Sequence, residues 1–538
     1  MYFSRFALPL SRIKTNIDNM IKHLNKTIAM LSALLFAGTM MAQNNVWTAQ
    51  NAVGKDSTDV AGVFKTYARP ADYPYMEGDP TFNVTVNGSP VGLYNDKNFW
   101  NGMVSFGSFD FAEGQTVTVI ITAKEPMKTF EVLPQSAAVK NVKRLSPNAI
   151  QLTVTRPNQN ITLVPNGDYK GDVLHLFCNS IDTNAPKAPQ LTNGYGYDPV
   201  RKLQYFASGY HHLADIMKDG TLAVEGDAQI YIAGGAVVDG QLRIHRGKGA
   251  KLYGRGMAVN AVTQIVTSVD GCDSARVEGV LIHGHRSQCW CTTLGSSRNV
   301  AFDNVKIVTT RYASTDGLDV IGSSNCTFDN LFIRSCDDAI AIKGLAPEDK
   351  APADCPPDSN LVFRRIQLWN DCNNAFGMGA ETRARNYSDI SLIDSDILFS
   401  YDDPHHHEQL DERAALNICS LQGTFFKRIL FDNVRVNRCE RLISIGFKKD
   451  FWFGSLQGKH HYPGGIDGVT FRNVTSNNNS GSRIANEVLL YGWDKEGDPR
   501  KEVTNITFDH VTIEGKPFDS KDNTHLKLGP AVRTVTFK

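Results

Sequence analysis

The chain is short of several things, and each shortage narrows what it does. It carries no excess of either charge: lysine plus arginine and aspartate plus glutamate both number 56, so no net field draws it to nucleic acid or to an anionic membrane. Cysteine is sparse, ten in 538 residues, far below the density of a disulfide-built scaffold. No C-x-x-C pair exists, and Cys289-Trp-Cys291 is too tight for zinc-finger spacing. Buried thiols or a few bridges are expected, with no metal ligands and no cofactor. No hydrophobic run is long enough to span a bilayer comfortably, and no phosphate-binding glycine fingerprint occurs among the 44 glycines. Helical periodicity is almost missing, so a bundle is excluded. Ordinary usage, 41% hydrophobic and 21% charged, excludes a wholly disordered or collagen-like chain.

The longest apolar run, Ile28 to Ala42, follows Lys22 and Lys26 and ends in Met40-Met41-Ala42. It reads as a secretory signal peptide over residues 1–42, with Met20 a more usual start than Met1. Without it 51 basic face 55 acidic residues, a net charge near −4. No cysteine follows the cleavage point, which argues against a lipid anchor. A secreted or periplasmic protein with no membrane insertion is expected.

Residues 43–222 alternate apolar and polar at period two in short runs, such as Phe82 to Val86, Thr116 to Ile121 and Val173 to Phe177. Turn signals such as Asn87-Gly88 and Asn166-Gly167 separate them, so this part predicts a β-sandwich. Over residues 223–538 one phrase recurs: Val300-Ala-Phe-Asp-Asn-Val-Lys-Ile307, Cys326-Thr-Phe-Asp-Asn-Leu-Phe-Ile333, Leu361-Val-Phe-Arg-Arg-Ile-Gln-Leu368, Ile429-Leu-Phe-Asp-Asn-Val-Arg-Val436, Val469-Thr-Phe-Arg-Asn-Val474 and Ile506-Thr-Phe-Asp-His-Val-Thr-Ile513. One stacked unit per copy is implied. With β-rich copies and no leucine ladder, the expected architecture is a parallel β-helix.

The stretch richest in chemistry is Thr315-Asp316-Gly317-Leu318-Asp319, then Cys336-Asp337-Asp338-Ala339-Ile340. Asp316 and Asp337 lie about one coil apart, so strands about 4.8 Å apart would set them side by side. Adjacent aspartates point to opposite faces of a regular strand, so Asp337 and Asp338 reach one patch only at a bend. Crowded carboxylates cannot all ionise, and one that keeps its proton can serve as acid while the others act as bases. Glycosidic cleavage needs that division. For a lone aspartate, a turn residue bonding its own backbone is the simpler reading.

These two motifs resemble those of the β-helical glycoside hydrolases of family 28 (polygalacturonases) and family 49 (dextranases and isopullulanases). Family 49 is similar over more of the chain, through the N-terminal β-sandwich, Ile230-Tyr-Ile-Ala-Gly-Gly-Ala236 with Tyr253-Gly-Arg-Gly256, and Leu368-Trp-Asn-Asp-Cys-Asn-Asn-Ala-Phe-Gly-Met-Gly379. The resemblance implies a right-handed helix and an inverting hydrolase. Asp337 would be the general acid, with Asp316 and Asp338 holding the water and the carboxyls about 6.5–9.5 Å apart. It departs from polygalacturonases in having Gly377-Met378-Gly379 where they place Gly-His-Gly, and in having no Arg-Ile-Lys further on. A dextran- or pullulan-like α-glucan, or another plant or microbial glycan, is therefore expected ahead of pectin.

Around this centre, Lys343 is read as a contact to substrate hydroxyls or a solvated lysine, and Arg311 as orienting a carboxylate. Tyr312, Trp369, Trp290, Phe376 and Trp452 are candidates for stacking on sugar rings or inside the coils. Arg383 and Arg385 are substitute positive charge. His405-His406-His407 reads as a substrate-facing or exposed loop, not a metal site. The rival readings are a β-helical polysaccharide lyase, which would need calcium or a basic residue, and a non-catalytic glycan-binding protein.

Overall fold

The structure is a computed structural model describing residues 57–58, 62–260, 265–285, 290–309, 311–312, 314–347, 350–401, 413–448, 462–477 and 480–538. The proposed signal peptide, Cys289, the His405–His407 run and Trp452 lie outside the described residues. Among those described, no helix is long and apolar enough to cross a membrane. The nine described cysteines are buried.

Most of the described chain is one sheet of 33 strands, from Tyr195–Asp198 to Val535–Phe537, wound as a parallel β-helix. The repeated phrase explains each coil. Its phenylalanine points inward and stacks on the next copy: Phe302 on Phe328 at 5.5 Å, Phe328 on Phe363 at 4.2 Å, Phe431 on Phe471 at 4.9 Å, Phe471 on Phe508 at 5.3 Å. Two residues later the backbone turns through the left-handed region, at Asn304, Asn330, Arg365, Asn433, Asn473 and His510, with φ between 53° and 55°. Asparagine is favoured there because its short side chain tolerates that conformation. The following residue, Val305, Leu331, Ile366, Val434, Val474 or Val511, returns to the same core.

Residues 57–180 form two further sheets, one of seven strands and one of five. The seven-stranded sheet is buried on both faces, and strict alternation sorts its residues. Phe109, Phe111, Leu174, Leu176 and Cys178 pack towards the second sheet. Val104, Phe106, Val173 and Phe177 pack on Val237, Val259, Val308, Phe332 and Trp369 of the helix. Polar members of that second set find partners across the same junction: Asp110 pairs with Arg255 at 3.4 Å, and the His175 ring accepts from Arg334 at 3.1 Å. The sandwich thus covers one face of the coils.

The boundary expected at residue 222 needs correction. Leu203–Phe206 and Gly209–His212 already pair in parallel with Gln229–Ile232 and Ala236–Asp239, so the coiling begins before Thr221. These opening strands lack the phenylalanine phrase, which is why the sequence pattern starts later.

Candidate active site

Three successive coils turn at the same corner. The strand Lys306–Thr309 leads through Asp316 into Leu318–Ile321, and Phe332–Ser335 leads through Asp337 and Asp338 into Ile340–Leu345. Gln367–Asn370 leads through Asn373 and Asn374 into Phe376–Arg383. Leu318 pairs with Ile340 and Ile340 with Phe376, so these are neighbouring rungs. Asp337 and Asp338 lie outside any strand, in the bend that lets both side chains reach one patch. Carboxyl oxygens of Asp316, Asp337 and Asp338 lie within 4.8 Å of one another. That spacing is tighter than the 6.5–9.5 Å expected of an inverting pair, because adjacent parallel rungs set it rather than facing walls of a cleft.

The three differ in surroundings. Asp337 is half-buried, and its Oδ1 accepts from the Asp338 backbone N–H at 2.9 Å and Asn373 Nδ2 at 2.6 Å. Its Oδ2 accepts from the Ser314 N–H at 2.9 Å. Asp338 is buried and accepts from the Asn374 backbone N–H and Nδ2 at 3.1 and 2.9 Å. Burial, then Asp337 and Asp316, holds its carboxyl well above the usual range. Asp316 is buried, and burial pushes its pKa up to about 6, with Asp337 adding to the rise and Lys343 opposing it. A fourth carboxyl, Asp319, is fully buried beneath and is likewise held high by burial. Asp316, Asp319 and Asp338 are held above the usual range chiefly by burial, with neighbouring carboxyls adding to the rise, so protons stay in this set.

Lys343 is neither solvated nor free for a substrate hydroxyl. Its buried Nζ donates to Asp316 Oδ2 at 2.7 Å and lies 3.0 Å from Asp319 Oδ1. The Trp290 ring covers it at 4.2 Å. Burial opposes the Lys343 charge, but Asp316 and Asp319 outweigh it and hold its pKa well above the usual lysine value.

Several expected substrate contacts are structural. Trp369 is fully buried between helix and sandwich, donates to Asp371 Oδ1 at 2.9 Å and stacks on Tyr169. Its alternation points it outward from the coil, but the sandwich covers that face. Phe376 lies in the core of the coils. Arg311 pairs with Glu77 of the sandwich at 3.0 Å, with Tyr312 beneath its guanidinium at 5.5 Å, so the carboxylate it orients is not one of the three. Arg383 Nε donates to the Ala346 carbonyl at 2.6 Å, bracing adjacent coils. Met378 points into the core, so the position matched to the polygalacturonase histidine does not face the site.

Sequence reasoning gave no role to Asp319, although its alternation with inward Leu318 and Val320 marks it as outward. It missed Asn373 and Asn374, one coil beyond the aspartate pair, and Arg413, whose buried guanidinium is influenced by Asp337 and Asp338. No local signal marks Arg413.

Residues 214–347, which contain all four aspartates and Lys343, match the family model of glycosyl hydrolases family 28. The fold is shared with Dex49A from Penicillium minioluteum at 12% identity and a TM-score of 0.61, over 90% of this chain and 100% of that one. A family 28 exopolygalacturonase from Yersinia enterocolitica is similar at 9% identity and a TM-score of 0.47, over 79% of this chain and 98% of that one. Polygalacturonase from Erwinia carotovora ssp. carotovora is similar at 12% identity and a TM-score of 0.42, over 66% of this chain and 98% of that one. No curated protein matches the chain.

Proposed function

We propose that the chain is a glycoside hydrolase that cleaves a polysaccharide, with Asp316, Asp337 and Asp338 as its catalytic carboxyls. The observation that carries this reading is the convergence of their carboxyl oxygens within 4.8 Å of one another. The half-buried Asp337 is the group placed to meet a sugar, and it donates the proton to the departing glycosidic oxygen. Asp316 and Asp338 hold the water, and Asp316, the one paired with Lys343, deprotonates it. Lys343 keeps Asp316 ionisable despite its burial.

A neutral α-glucan is the proposed substrate class. Its supports are the fold shared with the dextranase Dex49A and Gly377-Met378-Gly379 standing where polygalacturonases place Gly-His-Gly. Export follows from the apolar segment at Ile28 to Ala42. Inversion is implied by the family resemblance. The short carboxyl separation favours a second reading, retention, in which one aspartate attacks the anomeric carbon.

The test is a product assay on dextran, pullulan, polygalacturonate and galactans, with proton NMR of the first-formed anomer. It runs beside Asp316→Asn, Asp337→Asn and Asp338→Asn. Each variant is expected to fold and to lose about 10²–10⁴-fold in kcat. Full activity in Asp337→Asn removes the proposed acid. A calcium-dependent, ultraviolet-absorbing unsaturated product makes the protein a lyase.

A further inference from the structure

Outside the aspartate set, one other cluster has metal-ligand chemistry among the described residues: Asp96, His283 and His285, whose ligand atoms lie within 4.8 Å of one another. Asp96 belongs to the sandwich strand Tyr94–Lys97. His283 belongs to the helix strand Leu281–Gly284, and His285 follows it. All three are essentially inaccessible to solvent. We propose that they bind one divalent transition cation of the zinc type at the junction of sandwich and helix.

The hydrogen bonding leaves the ligand atoms facing one another. His283 Nδ1 lies 2.8 Å from the Val308 carbonyl, which offers only lone pairs, so Nδ1 carries the proton. A fully buried ring is neutral in preference to charged, and Nε2 then presents a lone pair. That nitrogen has no hydrogen-bond partner and points at Asp96 Oδ2, 3.5 Å away. A lone pair aimed at a carboxylate oxygen is repulsive unless a cation lies between them. The other Asp96 oxygen is committed to the Lys97 N–H at 2.7 Å. His285 Nδ1 stands 3.0 Å from the same Oδ2, and its ring stacks on Tyr75 at 4.9 Å.

Bonds of about 2.0–2.1 Å from a tetrahedral ion put neighbouring ligand atoms about 3.3 Å apart. The separations of 3.0 and 3.5 Å bracket that value. The carbonyl behind His283 is the outer-sphere support that fixes the tautomer of a metal-bound imidazole. On binding, His285 shifts its proton to Nε2 and offers Nδ1; no proton is lost and no redox step is needed. Two histidines and one carboxylate supply three ligands from the two parts and tie the sandwich to the coils.

The test is metal content of the purified full-length protein by elemental mass spectrometry, followed by chelation and titration with zinc and with cobalt. One equivalent of zinc is expected, with tetrahedral cobalt bands free of sulfur charge transfer, and a melting temperature that falls on chelation and recovers with zinc. Asp96→Asn and His283→Gln are expected to weaken zinc at least about a hundredfold. The cobalt spectrum of the unmutated protein decides the matter if either variant does not fold. No zinc and no cobalt bands would overturn the proposal. So would zinc retained undiminished by both variants, which would put the ion at Asp316, Asp337 and Asp338.

Discussion

Replacing Lys343 by methionine isolates the electrostatics of the site. The side chain keeps its length and apolar stem and loses its charge. In the folded protein that charge lies 2.7 Å from Asp316 and 3.0 Å from Asp319, with all three groups buried. Asp316 titrates at about 6 against an ordinary 3.8, chiefly through burial. Ionising it in the folded state therefore costs about 3 kcal/mol, at about 1.4 kcal/mol per pH unit. The cost is absent below about pH 4, where folded and unfolded carboxyls are both protonated, and complete above about pH 6. Removing the ammonium pushes Asp316 and Asp319 higher still, so the penalty of Lys343→Met has the same sign with pH. It is small near pH 4 and grows to about 3–5 kcal/mol at neutral pH, the cost of leaving a buried charge unpaired. The Lys343 charge itself does not titrate in this window, because its pKa is raised. Urea denaturation of both proteins near pH 4.5 and pH 7.5 measures the difference. An equal loss at both values would mean that lysine packs rather than neutralises, and no loss at pH 7.5 would refute the ion pairs.

Activity of the unmodified protein should fall below about pH 6 as Asp316 takes up its proton; an initial-rate profile level down to pH 4.5 would remove Asp316 as a base. Trp369→Ala should lower stability by about 3–5 kcal/mol in thermal or urea unfolding, with KM for the polysaccharide within about twofold. A tenfold KM change at unchanged stability would return Trp369 to the substrate. Arg334→Met strands the buried Asp371 carboxylate, which Arg334 grips through two bonds of 3.0 Å. A loss of about 3–5 kcal/mol is expected, most of it regained when Asp371→Leu is added, as read from the double-mutant cycle.

The coils were legible because each copy of the phrase carries its own instructions: an inward ring to stack, a residue able to turn left-handed, and an apolar residue to return to the core. The aspartate set was legible because the interval from Asp316 to Asp337 matches a coil, and because two adjacent aspartates converge only at a bend. What covers the outside of a coil was not legible. Val259, His283, Val308, Arg334 and Trp369 occupy one cross-coil row, and alternation marks them as outward, as it would a solvated row. Only the sandwich, more than a hundred residues away in sequence, decides that Trp369 is core and that Arg334 needs Asp371. The same reason hid Asp96, which meets His285 across 189 residues, whereas Lys343, read as a substrate contact or a solvated lysine, is buried by Trp290 and the carboxyls of neighbouring coils.

The charge of the site also bears on which glycan it accepts. Lys343 acts on Asp316, Asp319 and Asp338, and Arg413 interacts with Asp337 and Asp338, so four carboxyls face two cations. A galacturonate unit would add a further carboxylate, and each anion within about 4–6 Å raises the neighbouring acids. Binding a polyuronate therefore requires proton uptake, whereas a neutral glucan does not. No imidazole relieves this at Met378, whose side chain lies in the core, and the adjacent outward positions are Gly377 and Gly379. Dextran or pullulan should accordingly bind with little change in affinity between pH 5 and 7. Polygalacturonate should weaken about tenfold per pH unit above 6, the slope for one proton taken up on binding. Calorimetry on the Asp337→Asn variant, in two buffers of different ionisation heat, measures both the affinity and the protons. Tight polygalacturonate binding at pH 7 without proton uptake would refute the electrostatic reasoning, and faster turnover of that polymer than of either glucan would reverse the substrate assignment.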